Sequence, residues 1–106
     1  MPYIKEEARF ELDACIEKMT ECLTLGHVNN QNDISNEEFT VILGEINYTF
    51  SRILMGSIGE ISYPKIAMIT GVLENIKQEF YRRAASSYED KKIIENGDIK
   101  EYKNGY

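Results

Sequence analysis

The chain has 106 residues, a length typical of one domain, and its 42% apolar and 28% charged residues match ordinary globular usage and argue against wholesale disorder. A formal net charge of -6 argues against duplex nucleic acid as a partner, because binding its phosphates needs a basic surface. No apolar run is long enough to span a bilayer and the first residues lack a secretory signal, so we expect a soluble, cytoplasmic protein without a membrane partner.

The first predicted element is an amphipathic helix over about residues 5–25. Its apolar residues recur at steps of one, three and four, and acidic residues occupy most of the other positions. The apolar set is Ala8, Leu12, Cys15, Ile16, Met19, Cys22 and Leu23. Gly26 follows this set, where a left-handed cap commonly ends a helix. The polar residues 26–35 are predicted to form a loop, because they are rich in turn formers.

The second predicted helix covers about residues 36–57. Ser35 and Glu38 have the spacing of a capping box, which marks a helix start. The apolar residues that follow again take helical steps: Phe39, Ile42, Leu43, Ile46, Phe50, Ile53 and Leu54. Gly56 and Gly59 then predict the end of the helix.

The third predicted helix covers about residues 64–86. Ser62 is a suitable N-cap, and Pro64 is favourable in a first turn. Its apolar residues step by three and four: Ile66, Ile69, Leu73, Ile76, Phe80 and Ala84. Gly44 and Gly71 fall inside predicted helices at a cost of roughly 1 kcal/mol each relative to Ala, so we expect helices to cross closely at one or both.

The C-terminal residues 88–106 carry five acids and four bases and form a charged extension in this prediction. A short helix over 88–95, closed by Asn96 and Gly97, is compatible with their pattern, and the residues beyond Asp98 are expected to be extended or frayed. The predicted fold is therefore all-α: a three-helix antiparallel bundle or hairpin in a helical domain of residues 1–87, followed by a polar tail.

Many apolar residues lie outside the three stripes, among them Phe10, Val41, Tyr48, Met55 and Met68. Three helices of one small monomer cannot cover all of these faces. We therefore expect a homo-oligomer, most often built on a two-fold interface.

The usual catalytic and metal-binding patterns are missing from the sequence. Cys15 and Cys22 are seven residues apart on one helix, so roughly 10 Å separates their Cα atoms, which is too far for a disulfide; we expect both in the core. His27 has no Ser, Cys or acid at catalytic spacing and is interpreted as a favourable charge near a helix end. The sequence also contains no phosphate-binding loop or nucleophile elbow. We expect no catalytic residue, no metal site and no cofactor.

One segment could bind a small anion. Residues 62–87 carry four bases against two acids and form the one part of the chain with a net positive charge. Guanidinium groups beside Tyr rings can hold phosphates and stack on a base. The candidate ligand-binding residues are Tyr48, Arg52, Tyr81, Arg82, Arg83, Lys91 and Lys92. In this hypothesis Tyr48 and Arg52 of the second helix form the second wall of the site. Lys91 and Lys92 close over it, either from the same chain or from a neighbouring subunit.

The same arginines also have a purely structural interpretation. Arg82 and Arg83 near a helix C-terminus interact favourably with the helix dipole. Arg52, the one base of residues 26–61, can pair with Glu45 or Glu79. The sequence leaves both interpretations open.

Several motifs carry a resemblance to a known group of proteins. They are Met1-Pro2-Tyr3-Ile4-Lys5, Glu45-Ile46-Asn47-Tyr48, Arg52-Ile53-Leu54, Gly71-Val72-Leu73-Glu74, Glu79-Phe80-Tyr81-Arg82-Arg83, Tyr88-Glu89-Asp90-Lys91-Lys92 and Glu95-Asn96-Gly97-Asp98. Over nearly the whole chain the sequence resembles a family of short, uncharacterised proteins from tailed phages and bacterial mobile elements. The resemblance implies a phage or prophage setting and no particular reaction.

The leading hypothesis is a non-enzymatic, oligomeric helical binding protein of phage type, which counters host defence by sequestering a nucleotide-like anionic ligand. This step from setting to function is by association. One alternative is an acidic protein that inhibits a host nuclease or defence enzyme, in the manner of anti-CRISPR proteins. The other is a structural or assembly protein without a ligand, in which the Arg and Tyr cluster is a polar network between subunits.

Overall fold

The computed structural model describes residues 4–25 and 34–105. Helices make up most of this part of the chain, and no strand occurs in it. The predicted all-α class is therefore confirmed. The loop prediction for 26–35 falls mostly outside the described residues, as do those for Gly26 and His27.

Contacts divide the chain into an N-terminal unit, Pro2–Ile61, and a C-terminal unit, Ser62–Tyr106. In the N-terminal unit a 3-10 turn, Glu6–Ala8, precedes helix α1, Phe10–Leu25. The Arg9 guanidinium donates two hydrogen bonds to the carbonyl oxygen of Ile4, at 2.9 and 2.8 Å. The regular helix thus starts five residues later than predicted, because the chain first makes this tight turn.

Helix α2, Asn36–Ile58, starts as its sequence predicts. The Glu38 N–H donates to Ser35 Oγ at 3.1 Å, and the Ser35 N–H donates to Glu38 Oε1 at 3.4 Å, so both bonds of the capping box form. Gly59 follows the helix with a φ of 70°, a conformation that favours glycine. The α1 and α2 helices contact each other. Ile42 on α2, at 4% exposure, is the one buried apolar residue of the described chain.

The expectation that both cysteines lie in a core is wrong for this structure. Cys15 and Cys22 on α1 are free and exposed. Within the N-terminal unit α1 meets one other long helix, α2, and a single helix covers only part of the apolar face of its neighbour.

The C-terminal unit contains a longer helical stretch than predicted. Helix α3, Tyr63–Phe80, passes through a π-helical turn, Tyr81–Ala85, into α4, Ser86–Asn96. In this turn the N–H of Ser86 donates to the carbonyl of Tyr81, one residue further back than in an α-helix. The helical stretch therefore passes the predicted end at residue 86.

Asn96 is the last residue of α4, and Gly97 follows it with a φ of 85°. The sequence predicts the end of a short helix at these two residues, and the longer helical stretch of the structure ends there. A further short helix, α5, Lys100–Lys103, lies in the part that was expected to be extended. The predicted division into a 1–87 domain and an 88–106 extension stays a prediction.

The two helical glycines do not mark close helix crossings within the described chain. A Cβ atom built on Gly44 or Gly71 would meet no atom within 4 Å. The expectation of a close crossing at these positions is therefore wrong for the residues that the structure describes. Space beside both glycines is open.

Candidate functional site

Tyr48 and Arg52 form the first cluster of candidate residues. They are four residues apart on α2, so they share one face of the helix. Arg52 Nη1 donates to Tyr48 Oη at 3.3 Å, and the guanidinium carbon is 5.8 Å from the centroid of the Tyr48 ring. An exposed cation–π contact of this kind contributes roughly 0.5–1 kcal/mol. Arg52 makes no ion pair with the described residues of its own unit, so the alternative pairing with Glu45 is not observed, and the pairing with Glu79 stays a prediction.

This pair lies at a shallow groove between α1 and α2. Met19 of α1 faces Tyr48, Thr49, Arg52 and Ile53 of α2 across it. The groove continues along the helices past a second set of residues, namely Cys22, Leu23, Val41, Gly44 and Glu45. The groove thus combines an apolar floor with one guanidinium and one phenol group at its rim.

Arg82 and Arg83 form the second cluster, together with Glu79. Arg82 Nη2 lies 2.8 Å from Glu79 Oε1, and Arg83 Nε lies 2.9 Å from Glu79 Oε2. The spacings of three and four residues let two consecutive arginines reach back to one carboxylate on the preceding turn. The formal charges of these three side chains sum to +1.

Tyr81 stands beside this cluster and contacts a different neighbour. Its ring meets the Phe80 ring edge-on, with 6.3 Å between centroids and 86° between planes. Both rings are more than half exposed. The phenol ring of Tyr81 is thus accessible beside two guanidinium groups, as the ligand hypothesis requires.

The two lysines of the candidate set behave differently from each other. Lys92 Nζ is 3.0 Å from Glu95 Oε2 and 5.5 Å from the centroid of the Tyr88 ring. Lys91 is exposed and forms no ion pair in the part of the chain that the structure describes. Both lie on α4, in the part of the predicted C-terminal extension where a short helix over 88–95 was compatible with the sequence.

The seven candidate residues thus occupy local clusters in two separate units. Tyr48 and Arg52 belong to the N-terminal unit, and the other five belong to the C-terminal unit. Their union into one site stays a prediction. Sequence reasoning overlooked three members of these clusters: Met19, which faces the pair across the groove, and Tyr88 and Glu95, which hold Lys92. The spacing of Glu95, three residues after Lys92, was a readable signal for that pair.

The described residues contain no group of three or more His, Cys, Asp or Glu side chains that could hold a metal ion. Within residues 4–25 and 34–105, no helix has both the length and the apolar character needed to cross a bilayer.

A family model described as a domain of unknown function, DUF6899, matches residues 1–99. The chain belongs to this family. The match covers all the elements that carry the candidate residues, from α1 to the end of α4. No curated protein and no solved structure matches the chain. Membership in DUF6899 carries no activity with it, so the function of this member has to be argued from its own residues.

Proposed function

We propose that this protein is a non-enzymatic helical binding protein that self-associates and acts through contacts of its exposed helix faces. One observation carries the proposal. Of the described residues, 26 large apolar or aromatic side chains are exposed, while a single apolar residue is buried. Soluble monomers rarely expose apolar patches on this scale, and such patches commonly mark protein interfaces.

The energetics point the same way. Full burial of one Leu, Ile or Phe side chain contributes roughly 1.5–3 kcal/mol, and an isolated helix is marginally stable in water without such burial. The exposed faces of α2 and α3 include Phe50, Ile53, Ile76 and Phe80. Covering them against another surface is the largest stabilising contribution open to these helices. An antiparallel three-helix arrangement within the oligomer is part of this proposal.

The test is the molar mass in solution. Sedimentation equilibrium from about 1 µM to about 1 mM covers association free energies of roughly 8 to 4 kcal/mol. We expect a mass that rises to a multiple of 12.2 kDa. A mass of 12.2 kDa throughout this range, with helical circular dichroism retained, would refute the proposal.

A second candidate function is the capture of a nucleotide-like anion. It is supported by Arg52, which makes no ion pair among the described residues, and by the formal charge of +1 that Arg82, Arg83 and Glu79 carry together. Titration calorimetry with cyclic dinucleotides and ADP-ribose derivatives tests it. Binding that Arg52→Ala and the double change Arg82→Ala and Arg83→Ala abolish would favour this function, whereas no heat with any of these compounds would exclude it.

A third candidate is an acidic inhibitor of a host nuclease or defence enzyme. Residues 1–61 carry four bases against eleven acids, a negative charge that suits a basic partner surface. Capture of such a partner should weaken as salt rises, because screening shortens the range of exposed charges. In all three cases we propose that the protein works in the cytoplasm of a host cell, in the phage or prophage setting that the resemblance implies.

A further inference from the structure

The C-terminal unit presents one continuous apolar face along its helix. Across α3 the apolar residues take the regular steps of an amphipathic helix, and the set ends with an aromatic residue of α4. We call this set the apolar stripe: Ile66, Ile69, Leu73, Ile76, Phe80 and Tyr88. From Ile66 to Tyr88 it covers 23 residues, or roughly 33 Å at the rise of an α-helix.

The π-helical turn keeps Tyr88 in line with the stripe. In an uninterrupted α-helix, eight residues at roughly 100° each would place Tyr88 roughly 80° away from Phe80 around the axis. The wider turn over Tyr81–Ala85 takes up one extra residue, which reduces this angle to roughly 20°. The turn therefore extends one face by two helical turns. This is a geometric role for a feature that is uncommon in helices.

No other long helix packs on the stripe within residues 62–105, the described part of its unit. The helical segments of the C-terminal unit contact mainly their neighbours along the chain. Phe80 and Tyr88 are each 62% exposed, and Ile66, Leu73 and Ile76 are about half exposed. This face lacks the cover that an amphipathic helix normally has.

The area of the stripe matches what a stable dimer needs. At 150–250 Å² for an aromatic side chain, Phe80 and Tyr88 offer roughly 250 Å², and the three half-exposed aliphatic side chains add roughly 150 Å². A standard interface buries about 800 Å² on each partner, of which about 60%, or roughly 480 Å², is apolar. The full standard range of about 600–1,000 Å² per partner corresponds to roughly 360–600 Å² of apolar area, and the roughly 400 Å² of the stripe lies near its lower end.

The charge balance favours a second copy of this unit as the occupant. Residues 62–106 carry eight bases and seven acids, so two such units meet with little repulsion. Residues 1–61 carry four bases and eleven acids, so a symmetric contact through the N-terminal unit would bring two strongly negative surfaces together. Near the end of the stripe, the charge of Lys92 is balanced by Glu95 at 3.0 Å.

We propose that two copies of the chain associate through the apolar stripe around a two-fold axis near Ile76, its apolar residue closest to the middle. The inference rests on the self-association proposed above and names its surface. The π-helical turn is the device that makes the stripe long enough for this contact.

The first test compares two carboxylates on opposite faces of α3. Ile76→Glu puts a charge into the stripe, and Gln78→Glu puts one on the far side. Each new acid lies within one helical turn of an existing one, Glu79 in the first variant and Glu74 in the second, and Gln78→Glu also removes the 3.4 Å hydrogen bond to Glu74, so it is a stringent control. We expect Ile76→Glu to weaken the dimer roughly 100-fold or more, since two-fold symmetry repeats the loss on both sides, and Gln78→Glu to change it less than threefold.

The second test detects the contact by cross-linking, so it does not require a substitution that disrupts the dimer. In a Cys15→Ser, Cys22→Ser background, Ile76→Cys should cross-link two chains with a short bismaleimide reagent, and Gln78→Cys should not. A wild-type oligomer that Ile76→Glu leaves intact, or one in which Gln78→Cys cross-links as well as Ile76→Cys, would overturn the stripe while leaving self-association in place.

Two further outcomes separate this inference from the proposed function. A wild-type protein that is monomeric throughout refutes both. If Ile76→Glu instead lowers the stability of the folded chain and leaves the oligomer mass unchanged, then the stripe packs within its own chain, and the inference is wrong although the oligomer exists. Circular dichroism and sedimentation on the same samples distinguish these results.

Discussion

The Glu79 carboxylate forms ion pairs with both Arg82 and Arg83, so removing its charge tests whether these three side chains stabilise the fold. Glu79→Gln keeps the size of the side chain and removes the charge that lies 2.8 Å from Arg82 Nη2 and 2.9 Å from Arg83 Nε. Both guanidinium side chains are more than 60% exposed, so each pair contributes about 0.3–0.5 kcal/mol. We therefore expect the free energy of unfolding to fall by about 0.6–1 kcal/mol.

Urea unfolding followed by circular dichroism measures this loss. The matched control is Glu74→Gln, which removes a carboxylate of the same helix whose partner is the amide of Gln78, at 3.4 Å. The loss for Glu79→Gln should shrink between about 0.1 M and about 1 M salt, because the Debye length falls from about 10 Å to about 3 Å. Equal losses for the two variants at low salt would refute this account of the cluster.

The same variant also tests the anion hypothesis. Removing the Glu79 charge raises the net charge of the cluster from +1 to +2. One unit charge at about 5 Å in water contributes about 0.8 kcal/mol, or about fourfold in affinity. A nucleotide-like anion bound at Arg82 and Arg83 should therefore bind about fourfold more tightly to Glu79→Gln in titration calorimetry. Weaker binding would show that the carboxylate holds the arginines in the geometry that the anion needs.

Three further predictions concern the N-terminal unit. Ser35→Ala removes the acceptor of the capping box and should lower the free energy of unfolding by about 1 kcal/mol, measured by urea unfolding; no change would show that the 3.1 Å bond contributes nothing. Ile42→Ala should cost about 2–4 kcal/mol in the same assay, since Ile42 is the buried apolar residue, whereas Ile53→Ala should cost less than about 1 kcal/mol in the monomer. A larger cost for Ile53→Ala that grows with protein concentration would place Ile53 in the oligomer interface. Tyr48→Phe removes the hydroxyl that Arg52 bonds at 3.3 Å but keeps the ring contact, so its effect on stability should stay below about 0.5 kcal/mol in thermal unfolding.

Features that depend on neighbours a few residues away could be predicted from the amino-acid sequence. The capping box at Ser35, the Ser62 cap at the start of α3 and the stop at Gly97 all form as their residues predict, because their bonds and conformations are local. The amphipathic pattern fixed the all-α class for the same reason, since it records a periodicity of 3.6 residues.

The folded structure decided the features that depend on packing and on the exact path of the helix. The π-helical turn at Tyr81–Ala85 has no residue signature of its own, and it carries the helix past a point where neither a cap nor a glycine would end it. Exposure of Cys15 and Cys22 likewise depends on how much of α1 the α2 helix covers, which a periodic pattern does not encode. Two arginines share the Glu79 carboxylate, and this arrangement depends on side-chain rotamers as well as on sequence spacing. The spacing indicates which charges can pair, but the geometry of the shared contact comes from the structure.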